Sequence, residues 1–171
     1  MATVLRGRRT SDLGDRESVV VFLIGMRINR WGEFWRWLPV FAAMPRMVSE
    51  LAKDPSRGLL GRPRTFLSGR VVMLVQYWSS FEALERYARD PQSAHLPAWR
   101  EFNRRIRDNG SVGIFHETYR VAAADAETVY ANMPGFGLAG ATVAVPLSRG
   151  NQTAAARLAV RPDDRAPVEA Y

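Results

Sequence analysis

A chain of 171 residues with 47% hydrophobic content is long enough for one domain with a sizeable core plus tails. It has no cysteine, which excludes disulfides, thiolate nucleophiles and thiolate-held metal centres. The net charge of +7 comes from arginines interleaved with acids, Lys53 being the single lysine, a pattern that describes a solvated surface better than a nucleic-acid stripe.

No window reaches the ~18 apolar residues of a membrane span, and no apolar segment follows the basic start MATVLRGRRTSDLGDRES. A cytoplasmic location is expected. Residues 1–17 are polar and without period, so they read as a flexible leader.

SVVVFLIGMRI (18–28) is nearly continuous in apolar, largely β-branched residues and predicts a strand covered on both faces. The stretch 31–54 predicts a helix, with Phe34, Leu38, Phe41, Val48 and Leu51 as its inward stripe. Pro39 and Pro45 should kink or divide it. PSRGLLGRPR (55–64) reads as a turn-rich connection, and 65–78 as one or two strands broken at Ser68 and Gly69.

Ser79 and Ser80 can cap the helix that follows, with Phe81, Leu84 and Ala88 on one face. HLPAWREFNRRIRDNG (95–110) predicts another helix, carrying Trp99, Phe102 and Ile106 on one stripe and stopping at Asn109 and Gly110. VGIFHETYR (112–120) is the last strong strand. The order strand, helix, one or two strands, helix, strand predicts an α+β class, a ferredoxin-like βαββαβ domain over 18–140. Residues 141–171 read as a C-terminal extension, partly wrapped over the domain and partly flexible.

QYWSSFEALERYARDPQSAHLPAW resembles the strand-to-helix stretch of the antibiotic-biosynthesis monooxygenase superfamily, the dimeric α+β barrels. FLIGMRINRW, LPVFAAMPRM, HLPAWREFNRRI, VGIFHETY and YANMPGFGL, in that order, look more specifically like a monooxygenase-like family related to a monooxygenase of fumagillin biosynthesis. The resemblance implies a homodimer whose sheets face each other, with a pocket in each subunit between sheet and helices. Superfamily chemistry ranges from cofactor-independent oxygenation to haem-dependent reactions, so fold alone does not choose among them.

The resemblance puts His95 where haem-degrading members carry their axial histidine, and an imidazole there can bind iron or act as a general base. His116 is the second catalytic candidate. Strand alternation sends Val112, Ile114, His116 and Thr118 to one face and Gly113, Phe115, Glu117 and Tyr119 to the other, so His116 and Glu117 cannot form a dyad unless a bulge intervenes. Structural polar contacts are the plainer account of each. Arg27, Asn29, Gln76, Trp78, Trp99, Glu117 and Tyr119 are candidate substrate-binding residues, Gln76 and Arg27 being polar positions in apolar strands.

No dinucleotide fingerprint, phosphate-binding loop, spaced metal cluster or GxSxG elbow is present in the sequence. The favoured expectation is a cofactor-free monooxygenase of specialised metabolism acting on a hydrophobic or aromatic small molecule, with no metal. In one alternative the protein binds haem through His95 or His116. In another, a non-catalytic ligand carrier or membrane-interface protein, the Trp- and Arg-rich WGEFWRWLPVFAAMPRM would lie on a bilayer; a buried helix is preferred there.

Overall fold

The structure, a computed structural model, describes residues 3–93, 95–105, 109–148, 150 and 152–158, apart from the side chains of His95, Ala98 and Arg105. In chain order the strands are β1 (Leu5–Asp12), β2 (Ser18–Ile28), β3 (Leu59–Ser68), β4 (Val71–Trp78), β5 (Val112–Ala122), β6 (Tyr130–Met133) and β7 (Val143–Pro146). The helices are α1 (Phe34–Lys53), α2 (Phe81–Arg89), α3 (His95–Arg105), α4 (Gly137–Ala141) and α5 (Ala154–Arg157), with 3₁₀ turns at Pro55–Arg57 and Ala123–Asp125. Two compact units result: 19–120, and 1–18 together with 121–171.

The 19–120 unit is a four-stranded sheet in the order β3-β4-β2-β5, the ferredoxin-like arrangement expected from sequence. β4 lies antiparallel to both β2 and β3, with Val20 opposite Trp78 and Leu59 opposite Trp78 on its two sides. Those pairings put Val20, Leu59 and Trp78 on one face, where Leu51 of α1 and Ala83, Leu84 and Tyr87 of α2 close over them. A second apolar cluster continues along the sheet through Met26, Ile28, Met44, Val72, Leu74 and Val112. Trp78 and Met26 are fully buried; removing an aromatic of that size from a packed core costs about 3–5 kcal/mol.

Several expectations need correction. β3 begins at Leu59, inside the stretch read as a connection, because a register shift between Leu60 and Arg64 absorbs Gly61 and Pro63 as a bulge. α1 runs unbroken through Pro39 and Pro45. Its inward stripe is Trp37, Val40, Met44, Met47, Val48 and Leu51, whereas Phe34, Leu38 and Phe41 are exposed. The helix is apolar on more than one side, so spacing alone did not set which side meets the sheet.

Residues 5–12, expected to be loose, form β1, the central strand of the other unit's three-stranded sheet β6-β1-β7. Both neighbours pair with it antiparallel. Thr128 ties that sheet by accepting from the Ser11 backbone N–H at 2.8 Å, and Arg157 donates its Nε to Glu127 at 2.7 Å. Ile106, from the expected stripe of α3, and residues 159–171 of the extension lie outside the described residues.

Candidate functional site

Alternation along three strands of the 19–120 unit builds one wall of a cavity. Phe22 and Ile24 of β2, Leu74, Gln76 and Trp78 of β4, and Ile114, His116 and Thr118 of β5 all point to the helix side. Met44, Met47, Val48 and Leu51 of α1, Phe81, Leu84, Glu85, Tyr87 and Ala88 of α2, and Trp99 of α3 supply the rest. The enclosed space is about 380 Å³, within the size range of small-molecule sites.

The helices are held in place by local signals. Ser80 Oγ accepts from Ala83 N at 3.2 Å and caps α2. Gly58, at φ +90°, makes the turn into β3; a Cβ there would sit 2.7 Å from Ala83 Cβ and Ser79 Oγ, so this approach of β3 to α2 needs glycine. Arg57 joins the end of α1 to the end of α2, contacting Glu50 at 3.3 Å, Asp54 at 3.2 Å and Asp90 at 3.2 Å. Its guanidinium carbon lies 5.7 Å from the centre of the Tyr87 ring.

The polar groups are few. Trp78 Nε1 donates to Gln76 Oε1 at 2.9 Å, a buried bond between neighbours on one face of β4. The Trp78 and Tyr87 rings meet at 5.7 Å and 34°. Burial, and then the nearby Glu50 carboxylate, push the Tyr87 phenol well above its ordinary range, so it stays a neutral hydroxyl. The His116 imidazole is exposed at the rim, its ring centre 5.9 Å from that of Phe22. Glu85 is the charged lining residue, and Arg89 pairs with it at 2.8 Å.

The candidates from sequence therefore separate. Gln76, Trp78, Trp99 and His116 line the cavity. Glu117 and Tyr119 occupy the other face of β5, where the Tyr119 hydroxyl donates to Glu117 at 2.5 Å and the phenol titrates higher for it. Arg27 donates to Asn29 at the end of β2, and Asn29 reaches the Gly110 carbonyl at 3.1 Å; neither lines the cavity. His95 opens α3, and its side chain lies outside the described residues. Sequence reading missed Phe22, Met44, Met47, Glu85 and Tyr87. For Phe22 a signal existed: Arg27 and Gly25 at odd positions of β2 imply that the even positions face inward.

Among the described residues no cluster of three or more His, Asp or Glu could hold a metal ion. Haem would find an imidazole in His116, but its two carboxylates would meet a lining that, among the described residues, has no Arg or Lys and has Glu85 as the charged member. The described lining does not fit that group; it fits a neutral, apolar ligand.

The sequence profile of the family described as Monooxygenase af470-like matches residues 19–138. The curated relative Monooxygenase af470 of Aspergillus fumigatus is 28% identical in an alignment 155 positions long that covers 77% of this chain and 53% of the relative, about half its length. Among solved structures, an aldoxime dehydratase crystallised with butyraldoxime superposes with a TM-score of 0.66 at 19% identity, over 83% of this chain and 44% of that one. This likeness is one of fold. SnoaB, a cofactor-independent oxygenase from Streptomyces nogalater, gives a TM-score of 0.42 at 13% identity over 60% of this chain and 91% of its own.

Proposed function

Because the chain belongs to the Monooxygenase af470-like family, we propose that it is a monooxygenase of specialised metabolism which oxidises an apolar, preferably aromatic, molecule seated in the cavity between sheet and helices, without a resident cofactor. The observation that carries the reading is the lining itself: mostly aromatic and aliphatic side chains, with the Gln76 carboxamide, the His116 imidazole, the Glu85 carboxylate and the Tyr87 and Thr118 hydroxyls among them.

Oxygenation without a cofactor needs a substrate that can release its own electrons, such as a CH₂ group flanked by two aromatic rings and conjugated through them to a carbonyl. A base removes one proton, the carbanion passes its electrons to O₂, and the C–O bond forms to give a peroxide. Loss of water then leaves a new carbonyl, so one oxygen atom enters the product and the other leaves as water. His116 is assigned the base role on its position at the rim, where it can return its proton to solvent. His95 is the second candidate. Phe22 and Trp99 supply apolar ring surface for the substrate.

The test is oxygen consumption with an anthrone as substrate. Turnover should fall by ~10²–10⁴-fold in His116→Ala, the usual worth of a positioned base, with His95→Ala measured beside it. Unchanged turnover in both variants would remove the histidine-base mechanism. Protein purified from haem-supplemented cells should have no Soret band; a band lost in His116→Ala would establish the haem alternative instead. The homodimer belongs to the same reading and is supported by the face of the sheet opposite the cavity, where Leu23, Met73, Val75 and Phe115 are only half-buried. Light scattering on the purified chain would test it.

A further inference from the structure

Gln76 is 6% exposed, lines the cavity and has, among the described residues, one side-chain hydrogen bond, the one it accepts from Trp78. An indole N–H can only donate, so the amide atom facing it must be the carbonyl oxygen, and the orientation of the carboxamide is fixed. The Nε2 amide group is therefore turned away from Trp78. Among the described residues it has no acceptor, in a wall that is otherwise almost entirely apolar.

In an apolar wall, a carboxamide whose oxygen is already engaged offers its nitrogen donor to whatever occupies the cavity. We propose that Gln76 Nε2 is the anchoring donor of the cavity, and that the ligand it selects is a neutral, apolar ring system bearing an acceptor oxygen, a ketone carbonyl. The inference rests on the reading of the cavity as a ligand site and sharpens it. The carbonyl of Gln76 is already engaged, so ligands that offer only a donor gain nothing there. Trp78 acts through Gln76 as a positioning residue, holding the amide with its nitrogen toward the ligand. In the proposed oxidation the same donor would face the oxygen on which negative charge collects after proton removal.

The experiment compares two probes of one shape, 9-fluorenone and fluorene, by equilibrium dialysis against the whole chain. Wild type should bind fluorenone about tenfold more tightly, the worth of one net hydrogen bond to an otherwise unpaired donor. Gln76→Met, similar in volume, should lose that preference while keeping its affinity for fluorene, which also reports that the fold is intact. Trp78→Phe should lower the ratio of fluorenone to fluorene affinity, whatever it does to the affinity for fluorene itself. The carbonyl stretch of bound fluorenone should move to lower frequency in wild type and return in Gln76→Met.

Equal affinity for the two probes in wild type, or a preference that survives in Gln76→Met, overturns the anchoring role and leaves the cavity reading standing. Binding of neither probe overturns the cavity as a ligand site, and the anchor with it. The wild-type comparison decides the matter even if a variant fails to fold.

Discussion

Gly25 in β2 and the Phe115 ring in β5 compete for one space: a Cβ built on Gly25 would lie 2.6 Å from Phe115 Cζ and 2.6 Å from the Val72 carbonyl oxygen. The strands are neighbours, and the ring crosses the gap that the missing side chain leaves. Gly25→Ala should therefore destabilise the protein by about 1–3 kcal/mol, the cost of forcing atoms into a packed interior. Phe115→Leu should recover only part of that loss, because the backbone oxygen on the β4 side cannot move aside. Chemical denaturation of the single and double variants measures both; full recovery would show that the ring alone sets the constraint.

The start of α2 depends on one side chain. Ser80→Ala removes the acceptor for Ala83 N and should cost about 1 kcal/mol, while Ser80→Asp should keep most of the stability by capping in the same way. Denaturation midpoints of the two variants test this.

The junction of α1 and α2 should respond to acid. The Ser56 hydroxyl, and after it Arg57, hold the Asp54 carboxyl below its ordinary 3.8. A carboxylate lowered in the folded state stabilises fully above its unfolded value and loses that contribution as pH falls through the folded one. The melting temperature of wild type should therefore exceed that of Asp54→Asn at neutral pH, and the gap should close as pH drops below 3.8. A gap of constant size would mean that the charge is not responsible. Arg57→Lys should lower the melting temperature too, since an ammonium cannot reach Glu50, Asp54 and Asp90 together.

What the sequence made legible follows from how local each signal is. β2, β4, α2 and β5 stand out because each carries its own periodicity or cap, and the Ser68–Gly69 break separates β3 from β4 within a few residues. β1 was illegible for the opposite reason. LRGRRTSD has no apolar alternation, and its partners Tyr130–Met133 and Val143–Pro146 lie more than a hundred residues away. At the candidate site, alternation alone sorted His116 from Glu117. Gln76 was visible as a polar residue in an apolar strand, but its fixed amide was not, because that depends on where the Trp78 indole turns. The helix walls were missed for a geometric reason: the phase of α1 is set by what packs against it.

α1 also carries a consequence for how the molecule opens. Pro39 and Pro45 have no N–H to donate, so the helical ladder lacks a rung at each, and the turn around Phe34, Trp35 and Leu38 is exposed while Met44 and Leu51 are buried. The helix should therefore behave as two stability zones. Backbone amides of 34–41, where Trp37 and Val40 are only half-buried, should exchange with deuterium well before those of 46–53, which are fastened by buried Leu51 and by the Arg57 contact with Glu50. Such a helix can fray at its aromatic end without disturbing the cavity wall, and a ligand would be expected to slow exchange only in the second zone.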